Sequence, residues 1–405
     1  MKNRFATHIV HKALATNPIV AIQGAPQVGK SNIARRVAAT IGAPILNLEN
    51  PTTYITAKTN PTQLTPDRPV VFDGIHYVPE LLPILRTAAR THPGQFLIVD
   101  SAGRGNLPAD IPSIVVRPLS QGEIDEQPTP EDFATWICTN PTIHIQTRAR
   151  DIAGYKFAIA LRATRGSMPA PLTAATTKTQ ARWYRNYMST LCTRISPDIL
   201  TRIVRELART PVTEIIQSHL ARKLGITERE THGALLILRI AHILIDLPGW
   251  HSAASKRSVS AAKSTLLDTG LNTHNIGFSA GEINLPTSEY YFQQLLEQFV
   301  IQQLLIQQTW STTPALLKHF RTRDGTRVDI VLELIDGRVI LIDVITTPWP
   351  TKDKFKTMER LKHILGDQVI AGVILHTGLH MRQYHGWQYL LPITMLWQHP
   401  NLTAR

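Results

Sequence analysis

The sequence predicts an α/β domain on a parallel sheet, then a compact helical module, then an α+β domain, and three observations carry that reading. Apolar strand-like runs alternate with helix-forming stretches through residues 1–140. Short helices joined through Gly225 and restarted at Thr227-Glu228-Arg229-Glu230 fill residues 196–254. Within residues 255–405, two β-rich runs at 327–334 and 338–345 flank Ile335-Asp336-Gly337, where Asp-Gly is a strong hairpin signal. A basic helical lid or linker at 141–195 separates the first two parts. A chain of 405 residues is long for one core and has room for about two or three domains.

The first domain is organised around Ile19-Val20-Ala21-Ile22-Gln23-Gly24-Ala25-Pro26-Gln27-Val28-Gly29-Lys30-Ser31, an apolar strand running into a glycine loop and then a helix at 32–39. This is the context a phosphate-binding P-loop requires. Gly24 and Gly29 let the loop from Gly24 through Ala25, Pro26, Gln27 and Val28 turn its N–H groups toward an anion. Lys30 adds a cation, Ser31 offers a hydroxyl to Mg²⁺, and the helix dipole points the same way. ATP and Mg²⁺ are the expected ligands.

A second strand follows at 44–49, then a Thr/Pro/Asn-rich connection to about residue 68. The third, Pro69-Val70-Val71-Phe72-Asp73, is a buried-type run ending in a carboxylate, so Asp73 is the expected partner of Ser31 in holding Mg²⁺. A helix at 79–89 leads to a fourth strand at 95–101, whose tip carries Asp100. Ligands bind at the carboxyl ends of such strands.

Composition narrows the class. At 43% hydrophobic and 18% charged the chain is globular, and its formal charge of +13 favours a polyanionic partner such as DNA. Cys138 and Cys192 are too few for a disulfide framework or a zinc site, which fits a reducing cytoplasm. Met1-Lys2-Asn3-Arg4 does not lead into a signal-peptide core, and the best apolar run, 234–247, is broken by Arg239, His242 and Asp246. No membrane association is expected. Oligomerisation is open.

Residues 144–195 hold nine Lys/Arg (Arg148, Arg150, Lys156, Arg162, Arg165, Lys178, Arg182, Arg185, Arg194) against Asp151, a net +8. Tyr155, Phe157, Trp183, Tyr184 and Tyr187 are interleaved with them. Two readings stand side by side: a surface that stacks bases between cations, or a lid whose aromatics are core. Helices at 198–209, at 212–224 and from Thr227 suit a helix-turn-helix, yet Glu228 and Glu230 sit where base contacts are usually made. The last part adds a helix at 289–308 and strands at 369–376 and 393–397.

Taken together these residues resemble the bacterial and archaeal AAA-type ATPases that carry a winged helix and a C-terminal domain related to the PD-(D/E)XK nucleases. The resemblance covers nearly the whole chain. It is carried by Gly24 to Ser31, by Phe72-Asp73-Gly74-Ile75-His76-Tyr77-Val78-Pro79-Glu80-Leu81-Leu82, and by Arg117-Pro118-Leu119-Ser120 with Glu123. Lys263 with Leu267-Asp268-Thr269-Gly270-Leu271, Leu296-Glu297 with Val300, and Phe320-Arg321-Thr322-Arg323-Asp324-Gly325 with Val328-Asp329 extend it. Gly372-Val373-Ile374-Leu375 and Leu391-Pro392 with Leu396-Trp397 complete it.

The departures from that pattern bear on mechanism. Gly74 stands where the family has the glutamate that orients the attacking water, so the resemblance implies ATP binding and puts hydrolysis in doubt. Asp100 is the expected replacement carboxylate, with His76 and Glu80 as poorer candidates. Arg104 or Arg117 is a candidate stand-in for the arginine finger that the pattern lacks here, a structural surface role being the alternative for either. In the nuclease-like end Glu297, Asp329 and Asp343 fall at metal-ligand positions, but the lysine slot holds Ile345, leaving Lys352, Lys354 or Lys356 to migrate in. His376 and His380 read as surface histidines. The function expected is therefore an ATP-binding AAA-type protein, a weak ATPase coupled to a nucleic-acid or protein partner. The alternatives are a non-hydrolysing ATP-gated protein and a nucleic-acid-processing effector.

Overall fold

A computed structural model describes residues 3–65, 68–91, 96–100, 107–142, 152–190, 195–251 and 261–398. Contacts gather the chain into two compact units. The first holds residues 1–119 with Met168–Ala170 and Leu236–Ile243, and the second holds 120–167, 171–235 and 244–405.

The first unit is a parallel five-stranded sheet. Its strands are β1 (Ile19–Gln23), β2 (Ile45–Asn47), β3 (Val70–Asp73), β4 (Phe96–Val99) and β5 (Ser113–Val115), in the order β2-β3-β4-β1-β5. Helices α1 (Ala6–Leu14), α2 (Lys30–Ile41), α3 (Pro51–Thr59) and α4 (Leu81–Thr91) accompany them. Ile19 to Ile22 and Phe96 to Val99 are buried residue after residue, as strands covered on both faces must be. Phe72, Phe96, Ile98, Leu81 and Leu85 share one core. The alternation of strands and helices is as the sequence indicates, with two additions. Ala6, Val10 and Leu14 put a buried stripe on α1. Within the Thr/Pro/Asn-rich connection, Asn50 accepts from the N–H groups of Thr52 and Thr53 while Pro51 opens α3, a local N-cap that outweighs the polar composition.

In the second unit the chain runs through α5 (Gln121–Ile124), α6 (Phe133–Cys138), α7 (Ile152–Arg165), α8 (Pro169–Leu172), α9 (Thr177–Asn186) and α10 (Pro197–Ala208). Strand β6 (Val212–Glu214), α11 (Gln217–Leu224), α12 (Glu228–Ile240), β7 (Leu244–Leu247) and β8 (Lys263–Leu266) follow. The beginning of α8 and the end of α12 group with the first unit. Strands β6, β8 and β7 form a small antiparallel sheet in that order. Residues 212–214 are thus a strand rather than the start of a helix, because they pair with residues 263–265, a partner local periodicity does not reveal.

Helices α13 (Thr269–Ile276) and α14 (Glu289–Gln307) lead to a six-stranded mixed sheet. It is built from β9 (Ala315–Arg321), β10 (Arg327–Leu334), β11 (Val339–Ile345), β12 (Val369–His376), β13 (Arg382–Tyr384) and β14 (Gln388–Pro392), with α15 (Lys356–Leu365) between β11 and β12. The strand order is β13-β14-β12-β11-β10-β9. The Asp-Gly hairpin forms as expected, with Gly337 N–H donating to Leu334 O and the strands antiparallel. Residues 393–397, expected as a strand, instead enter the short helix α16 (Met395–Gln398). Leu396 and Trp397 donate to Ile393 and Thr394, and Ile393, Leu396 and Trp397 are buried at helical spacing. Among the described residues no helix is long and apolar enough to cross a membrane.

Candidate nucleotide site and a carboxylate cluster

Strand β1 ends at Gln23, and the loop to α2 has the backbone a phosphate cradle needs. Gly24 has φ 141°, and a β-carbon there would sit 2.2 Å from Val116 O. Gly29, the residue before α2, has φ 100°. Gln27 also takes a left-handed φ of 59°, which a residue with a side chain adopts only when its surroundings enforce it. Lys30 is almost fully buried, and its Nζ donates to the carbonyls of Gly24 (2.8 Å) and Ala25 (2.7 Å). Burial lowers its pKa to about 8, against the pull of Asp100 and Asp73. A buried cation drawn to two carboxylates, at the mouth of a glycine loop and the first turn of a helix, is a fitting host for polyphosphate.

Asp73 ends β3 beside Val99, and Asp100, the next residue beyond β4, donates its N–H to Ile22 O. Because β4 lies between β3 and β1, Asp100 emerges between the Asp73 strand and the P-loop strand. Its carboxylate is fully buried. Oδ1 lies 3.5 Å from His76 Nδ1, and Oδ2 accepts from Gln23 Nε2 at 3.4 Å. Lys30, Asp73, Asp100 and His76 therefore gather at one end of the sheet. Glu80 does not join them; it is exposed and pairs with Lys58 at 2.9 Å. Gly74 has φ 89°, and a β-carbon on it would meet the Tyr77 ring at 2.9 Å, so the loop is shaped around the absence of a side chain.

Three further residues of the first unit bear on the loop, one by contact and two through that contact or through charge. Arg4 is buried and donates to Val28 O and Arg117 O, both at 2.7 Å, clamping the loop to the chain after β5. Arg117 follows β5, partly buried, and burial lowers its guanidinium to about 10. Its side chain makes no ion pair or hydrogen bond among the described residues. His242 is half-buried and lies within electrostatic reach of Arg117, Lys30 and Asp100. Arg4 and His242 carry no local motif that would identify them. Arg104, the other arginine-finger candidate, lies outside the described residues.

In the second unit, Glu297 on α14 and Asp329 and Asp343 on β10 and β11 come within electrostatic reach of one another. Asp329 N–H donates to Asp343 Oδ1 at 2.9 Å, and Val344 N–H to Asp329 Oδ2 at 3.1 Å. Two cations serve the cluster: Lys263, whose Nζ lies 2.9 Å from Glu297 Oε1, and Arg327, whose Nε lies 4.0 Å from Asp329 Oδ1. Among the described residues no three acidic, His or Cys side chains are arranged to hold a metal ion. Burial, then Asp329, raises Glu297 to about 7, with Lys263 opposing, and Asp343 is raised in the same direction by burial and its neighbours. Lys352, by contrast, sits beside His385.

One surface expectation changes, and the aromatics of the basic segment divide between their two readings. His376 is buried, not exposed: its Nδ1 accepts from Gly378 N–H, its Nε2 faces His380 O at 3.1 Å, and burial pulls it down to about 3. Of the aromatics proposed to stack bases, Tyr184 and Tyr187 are buried, Tyr184 donating to Asp268, and Tyr155 packs on the core beside Thr394. Phe157 is exposed and Trp183 stacks on Tyr187. Residues 143–151 and 191–194, with Arg148, Arg150, Asp151 and Arg194, lie outside the described residues.

Residues 16–124 match the model of an AAA domain, and residues 158–282 and 292–396 match two domains of unknown function (DUF8612 and DUF4143). The site and this match define the first unit as a P-loop, ATP-binding domain of the AAA type. The uncharacterized proteins Rv2008c of Mycobacterium tuberculosis and Mb2031c of Mycobacterium bovis are each 23% identical over 379 residues, spanning 87% of this chain and 75% of their own length. Among solved structures, the Walker-type ATPase PABY2304 of Pyrococcus abyssi aligns with TM-score 0.41 and 14% identity, over 68% of this chain and 96% of that one. RuvB of Thermotoga maritima aligns with TM-score 0.26 and 15% identity, over 60% and 89%.

Proposed function

We propose that the chain is a slow Mg²⁺-dependent ATPase in which Asp100, steered by His76, orients the attacking water that no residue at position 74 can orient. The observation that carries this is the buried Asp100 carboxylate, 3.5 Å from His76 and at the strand tip beside the P-loop strand. Lys30 and the loop amides bind the phosphates, while Ser31 and Asp73 would hold Mg²⁺, which supplies charge neutralisation on the phosphate oxygens. His76 fixes the direction of the Asp100 lone pairs, so the water's proton has an acceptor at Asp100 Oδ1 or Oδ2.

The rest of the chain we read as the device that nucleotide state acts on. The order α10, β6, α11, α12, β7, β8 around a three-stranded sheet supports a winged helix, and the finer division at 140, 195 and 254 goes with that reading. The Thr227–Glu230 capping box is made in both directions, and Glu228 and Glu230 are exposed. That favours a protein-docking face on this module over base reading. The mixed sheet supports a nuclease-like domain, with Lys263 neutralising Glu297 in a scaffold role. The positive charge supports a polyanion as partner, and the scarcity of cysteine supports a reducing, cytoplasmic setting.

The test is Mg-ATP binding and phosphate release by the full chain beside Lys30→Ala and Asp100→Asn. Turnover in the wild type, loss of both binding and turnover in Lys30→Ala, and loss of turnover alone in Asp100→Asn are expected. Binding without release above the Lys30→Ala background replaces the ATPase with an ATP-gated binding protein.

A further inference from the structure

We propose that Arg117 and His242 form a second phosphate-binding pair beside Lys30, taking the terminal phosphates of a nucleoside di- or triphosphate, so that the C-terminal turn of α12 is part of the nucleotide site. The inference rests on the ATP-binding reading above and adds two ligands to it.

The backbone at His242 is the first ground. Helix α12 closes with Ile243 N–H on Leu238 O (2.8 Å) and His242 N–H on Arg239 O (2.9 Å), the paired bonds of a Schellman ending. The residue that turns such an ending is left-handed, and His242 has φ 56°. Helices α2, α11 and α13 meet the same demand with Gly42, Gly225 and Gly277. A histidine there carries backbone strain that glycine avoids, and the imidazole does not recover it through local bonding: it makes no hydrogen bond among the described residues.

Charge is the second ground. His242 lies within electrostatic reach of two cations, Arg117 and Lys30, and Asp100 is the acid within its reach. Asp100 is already engaged by His76 and Gln23. Among the described residues Arg117 keeps a partly buried guanidinium without an ion pair, an arrangement that is costly in isolation and favourable once an anion is present. Segment 236–243 groups by contacts with residues 1–119 although it ends a helix that begins at Glu228. Two donor-bearing side chains without partners among the described residues, one of them within electrostatic reach of the P-loop lysine, have the chemistry of a phosphate clamp. A phosphate beside His242 offsets the field of the two cations that, with burial, disfavours its charged form.

His242→Gly and Arg117→Gln in the full chain test this, with ATP and ADP affinity measured by isothermal titration calorimetry and melting followed without nucleotide. His242→Gly is expected to melt at or above the wild-type temperature, because glycine relieves the left-handed turn, and yet to bind ATP about tenfold more weakly, the worth of one charge-assisted hydrogen bond. Arg117→Gln should lose affinity to a similar or greater degree. ATP affinity within twofold of wild type in His242→Gly overturns the assignment, as does a loss that comes with a lower nucleotide-free melting temperature. Lys30→Ala separates the two levels. If the wild type binds, Lys30→Ala does not, and both other variants bind like wild type, the pair alone is wrong. If the wild type itself binds no ATP, the pair and the ATP-binding reading fall together.

Discussion

His76 Nδ1 lies 3.5 Å from Asp100 Oδ1, joining a residue of the loop after β3 to the tip of β4. The relationship exists because β4 runs between the P-loop strand and the Asp73 strand. An acid at the end of that middle strand faces both. In the proposed ATPase, Asp73 and Asp100 divide the work that an Asp-Glu pair on one strand would do, the carboxylate on the neighbouring strand standing in for the side chain that Gly74 lacks.

Placing a glutamate at position 74 should therefore fail. Gly74 has φ 89° and its missing β-carbon would press on Tyr77. Gly74→Glu is expected to cost about 1–2 kcal/mol of stability from the left-handed backbone and the contact. It should not raise the rate of phosphate release. Urea denaturation and a phosphate-release assay check both; a faster, equally stable Gly74→Glu would show that the loop accepts a base at 74 and that Asp100 is not the replacement.

ATP binding should depend on pH through Lys30. In the free protein burial lowers its pKa to about 8, and a bound polyphosphate favours the ammonium form. The bound state then holds more protons than the free state above pH 8, so affinity is expected to be level below pH 7 and to fall toward a limit of about tenfold per unit above pH 8. Calorimetry at pH 8 in two buffers of different ionisation enthalpy should register proton uptake on binding. No uptake, with affinity level to pH 9.5, would mean that Lys30 is fully charged before ATP arrives.

What could be read in the sequence, and what could not, divides along the range of the interactions. Gly24, Gly29, Lys30 and Ser31 are adjacent and announce themselves, and the Asp336-Gly337 turn fixes its hairpin by local backbone preference alone. Asp73 and Asp100 were legible as strand tips, although the order β2-β3-β4-β1-β5 that brings them together is set by pairings across the whole unit. The strand at Val212–Glu214 depends on residues about 50 positions later, and the Lys263–Glu297 pair spans two elements, so neither leaves a periodic trace. Arg4 and His242 act through position only. For the basic segment, composition could not tell core tyrosines from stacking ones, because a Tyr184 that donates to a buried Asp268 looks the same in sequence as one that faces solvent.

Glu131 should make the second unit less stable as pH rises. It is almost fully buried, and burial with the nearby Glu123 raises it to about 7 from its ordinary value near 4.5, despite hydrogen bonds from Ser120 and Gly122. The folded state holds the extra proton between those two values, so stability is full below pH 4.5 and is lost as pH climbs through 7. Glu131→Gln removes the charge that must be buried. It is expected to gain about 1–3 kcal/mol over wild type at pH 8 and almost nothing at pH 4.5. Unfolding curves across that range decide it, and parallel curves for the two proteins would clear Glu131 of the effect.

The buried ion pair at the carboxylate cluster makes the most demanding prediction. Lys263 and Glu297 are both largely buried, with Asp329 and Asp343 close by; burial and Asp329 push Glu297 up, against its bonded partner Lys263 and against Arg327. Lys263→Met leaves that carboxylate without its partner and should cost about 3 kcal/mol at pH 8. Removing the cation moves the folded-state pKa of Glu297 above the present value of about 7, and further from its unfolded value, so the folded protein takes up a proton. The cost is therefore smaller at pH 5, where the carboxyl is neutral, and grows as pH rises through 7. Lys263→Met with Glu297→Leu replaces the pair by apolar groups and should recover most of the loss. A double-mutant cycle of unfolding free energies at pH 5 and pH 8 measures this directly. Equal losses at both pH values, with additive effects in the double variant, would mean that the two side chains are solvated independently rather than neutralising each other within the sheet.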